Sequence, residues 1–416
     1  MSIKYLYDRK KIAITYGEQK YSYADVIKYV NYYSEFLDIS KGDRVALMME
    51  NRPESIFSFF SIWAKKGIAL SLDAGYTVEQ LAYVLSDSTP KYIFISNKVK
   101  EVVEKANEKI GNIVKILVVD EISLPDNYIP KQEEYHNDSD EEVAIIVYTS
   151  GTTGNPKGVM ITYENIRANM DGITAANLVN DTDSILAMLP YHHIMPLCFT
   201  LILPMYLGVP VILLTEISSA SLLKTLQENV VTVILGVPRV WEMLDKAIMT
   251  KINENSLARF MFKMASKINS MSIRKMLFSK VHKQFGGHVR LMVSGGAKID
   301  KNILEDFRTM GFRAIQGYGM TETAPIITFN VPGRERSDSA GEVIKDVEVK
   351  IADDGEILVK GKNVMKGYYN NEQATKEAFD KDGWFRTGDL GRFEGKYLII
   401  IGRKKEMIVL PNGKNI

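Results

Sequence analysis

The chain has 416 residues, 46% of them hydrophobic and 25% charged, a globular balance with enough length for several domains or one large domain with subdomains. Its formal net charge of +1 excludes a whole-molecule attraction to polyanions, so no nucleic-acid partner is expected. The single cysteine, Cys198, excludes an internal disulfide; it lies in an apolar run, reads as a small buried hydrophobe, and fits a reducing cytoplasm.

Residues 1–11 are polar and charged without an apolar core, so no signal peptide is expected. Residues 44–49 then predict a strand, 53–65 a helix and 68–72 a short apolar strand. Thr77 is placed to cap a helix reaching about 85, and strands follow at 92–96 and 113–119. This rhythm is that of βαβ units and a mostly parallel sheet. Residues 121–142 are acidic and rich in Asp, Asn and Pro, the composition of an exposed connection. The uncharged strand 143–148 runs into a loop of Thr, Ser and Gly, and a second α/β set follows with strands near 185–189, 211–214, 231–235 and 289–293.

Residues 195–214 are uncharged and long enough to cross a bilayer. Pro196, Pro204, Gly208 and Pro210 would break a spanning helix repeatedly, so the segment reads as a buried helix, a turn at 208–210 and a buried strand at 211–214. From about residue 340 the pattern changes to short strands at 347–351, 355–359 and 397–401 separated by Gly and Asp turns, which predicts a small all-β subdomain.

The chemistry concentrates in Tyr148-Thr149-Ser150-Gly151-Thr152-Thr153-Gly154-Asn155-Pro156-Lys157-Gly158. Glycines let the backbone approach an anion and aim N–H groups at it, the hydroxyls of Thr149, Ser150, Thr152 and Thr153 add donors, and Lys157 adds a mobile positive charge. Thr162 can cap the helix that begins near 164. The loop is not a Walker A motif: Lys157 fits, but Pro156 and Gly158 stand where Gly and Ser/Thr are required. The bland alternative is a flexible surface loop, which rarely follows an apolar strand with this composition.

The run from Tyr148 to Gly158 resembles the signature loop of adenylate-forming enzymes, the superfamily of acyl-CoA synthetases, beetle luciferases and peptide-synthetase adenylation domains. Further motifs occur in family order across nearly the whole chain. Gly317-Tyr318-Gly319-Met320-Thr321-Glu322-Thr323 resembles the second core motif, in which Tyr318 would stack on adenine, Thr321 approach the α-phosphate and Glu322 hold magnesium. The chemistry agrees, since a flat ring suits a purine and a hard carboxylate oxygen suits Mg²⁺ on phosphates. Ser294-Gly295-Gly296-Ala297 resembles the adenine-contacting segment, against the alternative of an ordinary βα turn. Trp384-Phe385-Arg386-Thr387-Gly388-Asp389-Leu390 resembles the ribose motif, where Asp389 would accept from both hydroxyls. Gly402-Arg403-Lys404-Lys405 resembles the hinge, with Arg403 reaching the ribose and Lys405 at the turning point; alone it would read as a solvated basic turn. In Leu189-Pro190-Tyr191-His192-His193, His193 aligns with the residue between nucleotide and acyl pocket, although a histidine pair by itself is more often structural.

The resemblance implies an α/β fold with two flavodoxin-like α/β subdomains of mostly parallel sheet and a small distorted β-barrel subdomain, the acyl-CoA synthetase-like N-terminal domain. It divides the AMP-binding domain 1–402 near 1–185, 186–325 and 326–402, and leaves 403–416 as the hinge and start of a further C-terminal domain. That domain's second lysine is not in the sequence, so the 416 residues are expected to bind ATP or acyl-AMP and to adenylate slowly. The implied reaction joins a carboxylic acid to AMP using ATP and Mg²⁺, then passes the acyl group to coenzyme A. The wording of Thr321-Glu322-Thr323-Ala324-Pro325 and of residues 410–416 is most similar to bacterial long-chain fatty acid ligases. Alternatives are a ligase for an acyl carrier protein or an aryl acid, and a nucleotide-binding module without catalysis. A cytoplasmic location is expected, with a candidate peripheral membrane contact through 251–283, which holds eight Lys or Arg and one Glu among Phe and Met residues. The alternative there is a helical pair packed on the core with a solvated basic face.

Overall fold

A computed structural model describes residues 2–3, 10–131, 135–136, 139–149, 156–216 and 218–404. Of the predicted site residues, Ser150, Gly151, Thr152, Thr153, Gly154 and Lys405 lie outside the described residues.

The first sheet has seven strands. Lys115–Val118, Tyr92–Ile95, Arg44–Met48, Ile68–Ser71 and Val143–Thr149 run parallel, and Lys157–Thr162 and then Gly367–Tyr368 add antiparallel at the far edge. The predicted helix boundaries have physical causes. Pro53 occupies the first turn of Pro53–Ala64, where its missing N–H is no loss. Thr77 and Thr162 accept from Gln80 and Asn165 three residues on, and both close reciprocal capping boxes.

The second sheet has nine strands. Ile12–Tyr16, Val211–Leu213, Ile185–Ala187, Val233–Gly236, Leu291–Ser294 and Arg313–Tyr318 run parallel in that spatial order, with antiparallel strands at both edges. The sheets do not follow the chain divisions read from sequence. Residues 12–22 pair into the second sheet, and Gly367–Tyr368 pairs into the first. One hydrophobic core joins both, running from Val45, Ala69 and Ile145 to Ile185, Val233 and Ile315. The third sheet is antiparallel and four-stranded, Val347–Ile351, Glu356–Gly361, Phe385–Glu394 and Tyr397–Arg403.

The uncharged segment 195–214 is core. Ile194–Pro196 continues through a π-helical turn, Leu197–Ile202, into Leu203–Leu207; Gly208 ends it in the left-handed region at φ +67°, and Val211–Leu213 is a buried strand. No helix among the described residues is long and apolar enough to cross a membrane.

Candidate functional site

The parallel strands of the second sheet end on one edge, and a cavity of about 1940 Å³ opens there beneath the third sheet. Every predicted site residue within the described range lines it: Thr149, Lys157, His193, Gly295, Gly296, Ala297, Gly317, Tyr318, Gly319, Thr321, Glu322, Asp389 and Arg403.

The ends of the glycine-threonine loop are pinned by the hairpin that carries it. Val143–Thr149 and Lys157–Thr162 pair antiparallel, with Thr149 directly opposite Lys157 and Tyr148 opposite Gly158. Both loop ends therefore reach the cavity from adjacent ladder positions. The Tyr148 phenol donates to Asp87 Oδ2 at 2.5 Å.

Gly295 and Gly296 follow the strand Leu291–Ser294, and a Cβ on Gly295 would lie 2.5 Å from Met195 Sδ. Tyr318 ends its strand, and a Cβ on Gly319 would lie 1.8 Å from the Pro325 carbonyl oxygen, so the tight turn after Tyr318 admits only glycine there. Thr321–Thr323 forms a short 3₁₀ turn that carries Glu322 into the cavity.

Two groups, one from each of two sheets, converge on Asp389. The Tyr318 hydroxyl donates to Oδ2 at 2.7 Å. Arg403, the direct cross-strand partner of Asp389, brings Nε to 3.6 Å from Oδ1. Burial, and then the Asp389 carboxylate, push the Tyr318 phenol well above its ordinary range, so it remains a donor.

Glu322 is buried, and its Oε1 accepts from the Tyr368 hydroxyl at 2.8 Å. The Lys157 ammonium lies 5.2 Å from the Tyr368 ring centroid. Tyr368 thus stands between the two predicted catalytic charges, and burial followed by Glu322 raises its pKa. No group of three or more candidate metal ligands occurs among the described residues. One carboxylate fits Mg²⁺ shared with nucleotide phosphates, since this ion keeps most of its other ligands as water and phosphate.

His193 lines the cavity, and its Nε2 lies 3.0 Å from His192 Nε2. One nitrogen must donate and the other accept, so at least one ring is neutral. His192 is pushed down to about 4, chiefly by burial and then by His193, against the pull of Asp73. Loss of hydration also lowers His193.

Several positioning residues escape sequence reasoning. Asn169 is fully buried on the helix Tyr163–Ala175; it donates to the Thr323 carbonyl at 3.2 Å and accepts from the Ile326 N–H at 2.8 Å. It ties the segment bearing Thr321 and Glu322 to the helix that follows the glycine-threonine loop. Asn51 donates to the Leu189 carbonyl at 2.7 Å and accepts from Tyr191 N–H at 3.1 Å, fixing the segment that ends in His193. A signal exists for Asn169: with Asn165 it makes a polar pair one turn apart on a face shared with Ile166, Met170 and Ile173, and buried amides require partners. For Tyr368 there is none, because its role comes from a strand pairing across some two hundred residues.

The model of the family described as AMP-binding enzyme matches residues 7–369. The chain belongs to the AMP-binding enzyme family. It is similar to long-chain-fatty-acid–CoA ligase 1 of Saccharomyces cerevisiae, 33% identical over 313 residues that cover 68% of this chain and 45% of the yeast protein. The chain thus spans less than half of that relative's length. Among solved structures of the family, ATP-bound MatB from Rhodopseudomonas palustris superposes with a TM-score of 0.80 at 26% identity, covering 99% of this chain and 79% of that one. O-succinylbenzoate coenzyme A synthetase (MenE) from Bacillus subtilis in complex with AMP gives 0.77 at 27%, covering 98% and 78%. These likenesses bear out the α/β reading, with its two largely parallel sheets and its small antiparallel unit, as the fold of this family's N-terminal domain.

Proposed function

We propose that this AMP-binding family member joins a medium- or long-chain fatty acid to AMP at the expense of ATP and then passes the acyl group to coenzyme A. The observation that carries this reading is the Asp389 carboxylate, held between Tyr318 and Arg403 in a cavity that also exposes Lys157 and Glu322. A carboxylate with two lone-pair-bearing oxygens suits a ribose diol, and the Tyr318 ring beside it offers a purine a flat face.

In the first step an oxygen of the ionised acid attacks the α-phosphorus, the bond to the bridging oxygen breaks, and pyrophosphate leaves with that electron pair. No general base is needed, because a carboxylic acid is already ionised at neutral pH. The obstacle is repulsion between anions, so the work falls to positioning and to cations and N–H groups fixed in advance. Lys157 and the 149–157 loop supply positive charge and donors, and Glu322 would hold Mg²⁺, which when bound neutralises phosphate charge. In the second step a thiol sulfur attacks the acyl carbon, AMP leaves, and the thiol proton is released.

A fatty substrate is supported by the hydrocarbon that Met170, Ile173, Leu178, Ile194 and Phe199 contribute to the lining of the cavity. An aryl acid is the second reading, favoured by the likeness to O-succinylbenzoate coenzyme A synthetase. The test is acid-dependent release of pyrophosphate and AMP, with palmitate, decanoate, coumarate and malonate, with coenzyme A or an acyl carrier protein as thiol. Formation of AMP with the fatty acids and coenzyme A is expected, and Glu322→Gln should lower its rate by about 10²-fold. Preference for coumarate would move the assignment to aryl acids, and preference for the carrier would change the thiol. Binding of ATP without AMP formation would leave a nucleotide-binding module.

A further inference from the structure

The stretch 256–283 carries seven lysines and arginines and no aspartate or glutamate. The helix Ser256–Ala265 packs on Pro238–Glu254, and its inner face, Ala258, Phe262 and Ala265, meets the core. A surface helix then normally turns polar groups outward. This one does the reverse. Leu257, Phe260 and Met264 are 66%, 61% and 46% exposed, and at 100° per residue they form one outward stripe. Arg259 and Lys263 run along its flank, and both are exposed. The next helix, Met271–Leu277, buries none of its residues and adds Ile273 and Met276 at 44% and 68%. Five of the twelve large hydrophobics exposed among the described residues therefore fall within 257–276.

Arg274 is committed to the carbonyls of Ile268 and Arg308. Among the described residues, Arg259, Lys263, Lys267 and Lys280 have no carboxylate paired with them. Scattered exposed apolar side chains need no explanation, but a contiguous stripe rimmed by like-charged cations does. We propose that this face rests on an anionic phospholipid bilayer, with Leu257, Phe260, Met264 and Met276 entering the headgroup and acyl boundary and the flanking cations meeting lipid phosphates. An acidic protein would satisfy the cations, but it offers no reason for outward leucine, phenylalanine and methionine at helical spacing. The helix Pro238–Glu254, on which this face rides, starts just after Val237 of the cavity wall, so membrane contact would stand one helix from the proposed acid site. The inference does not depend on the proposed reaction.

The experiment is flotation of the 416-residue protein with vesicles of phosphatidylcholine alone and of phosphatidylcholine with phosphatidylglycerol. Binding to the anionic vesicles that weakens with salt is expected. Arg259→Gln/Lys263→Gln/Lys267→Gln should lower the partition coefficient by roughly a hundredfold, and Leu257→Ser/Phe260→Ser/Met264→Ser should abolish flotation, with unchanged thermal midpoints showing that both variants fold. Three results would overturn the proposal: no flotation with either vesicle, flotation of both variants equal to that of the wild type, or self-association or capture of an acidic carrier protein through this face without vesicle binding.

Discussion

The Tyr318 hydroxyl lies 2.7 Å from Asp389 Oδ2, joining the last residue of an outermost parallel strand of the second sheet to a carboxylate on the antiparallel unit. Arg403 approaches the other oxygen from the facing strand. A carboxylate placed in advance by one hydrogen-bond donor and a facing guanidinium loses little freedom when a ligand arrives, which suits the proposed ribose site.

Asp389→Asn keeps the shape and removes the charge. It should weaken ATP binding by about 1.5–3 kcal/mol, the worth of hydrogen bonds to an ionised acceptor, and the shift of thermal midpoint on adding ATP should shrink accordingly. Tyr318→Phe removes only one neutral donor and should cost about 1 kcal/mol. Equal ATP protection of wild type and Asp389→Asn would remove Asp389 from the nucleotide site.

Gly319→Ala should be disproportionately damaging for one methyl group. Its Cβ would sit 1.8 Å from the Pro325 carbonyl oxygen, a backbone atom that cannot step aside without moving the Thr321–Thr323 turn. A loss of more than about 3 kcal/mol in urea unfolding is expected. The control is Gly383→Ala, where no heavy atom lies within 4 Å of the new Cβ although φ is +78°, so only local backbone strain applies. Similar losses in both variants would show that crowding at Gly319 does not decide the matter.

The histidine pair makes stability depend on acidity. His192 takes up its proton near pH 4 in the folded chain and near 6.5 when unfolded. Between those values the unfolded state binds more protons, so stability falls as pH drops through that window. Thermal midpoints measured from pH 7 to pH 4.5 should fall more steeply for wild type than for His192→Gln. Parallel curves would show that the imidazole is not protected from protonation.

Asp245 behaves in the opposite sense. Burial, then the nearby Asp306 and Asp300, push its carboxyl up to about 7, and its Oδ1 has no hydrogen-bond partner among the described residues. The folded state then binds more protons between pH 3.8 and about 7, so this group's contribution declines as pH rises through that range. Asp245→Asn should stabilise the protein at pH 8, on the order of 1 kcal/mol once solvent at the half-buried site is allowed for, and leave it unchanged at pH 4. A variant less stable at pH 8 would contradict this account.

The sequence by itself determined the parts whose physics is local. The capping residues Thr77 and Thr162, Pro53 in a first helical turn, the left-handed Gly208 and the alternation of apolar strands with helices all act within a few residues, so their spacing carries the information. The loop at 149–157 could likewise be read from its glycines, hydroxyls and lysine, whereas the motifs at 295–297, 317–322 and 389–403 were legible only through their resemblance to a known family. Only the tertiary structure decided that the described members of these motifs line one cavity, that residues 12–22 belong to the second sheet, and that Tyr368, Asn169 and Asn51 hold the site in shape. Those contacts join residues far apart in the chain. Their energy depends on strand pairing and burial after folding, and neither leaves a mark on neighbouring residues.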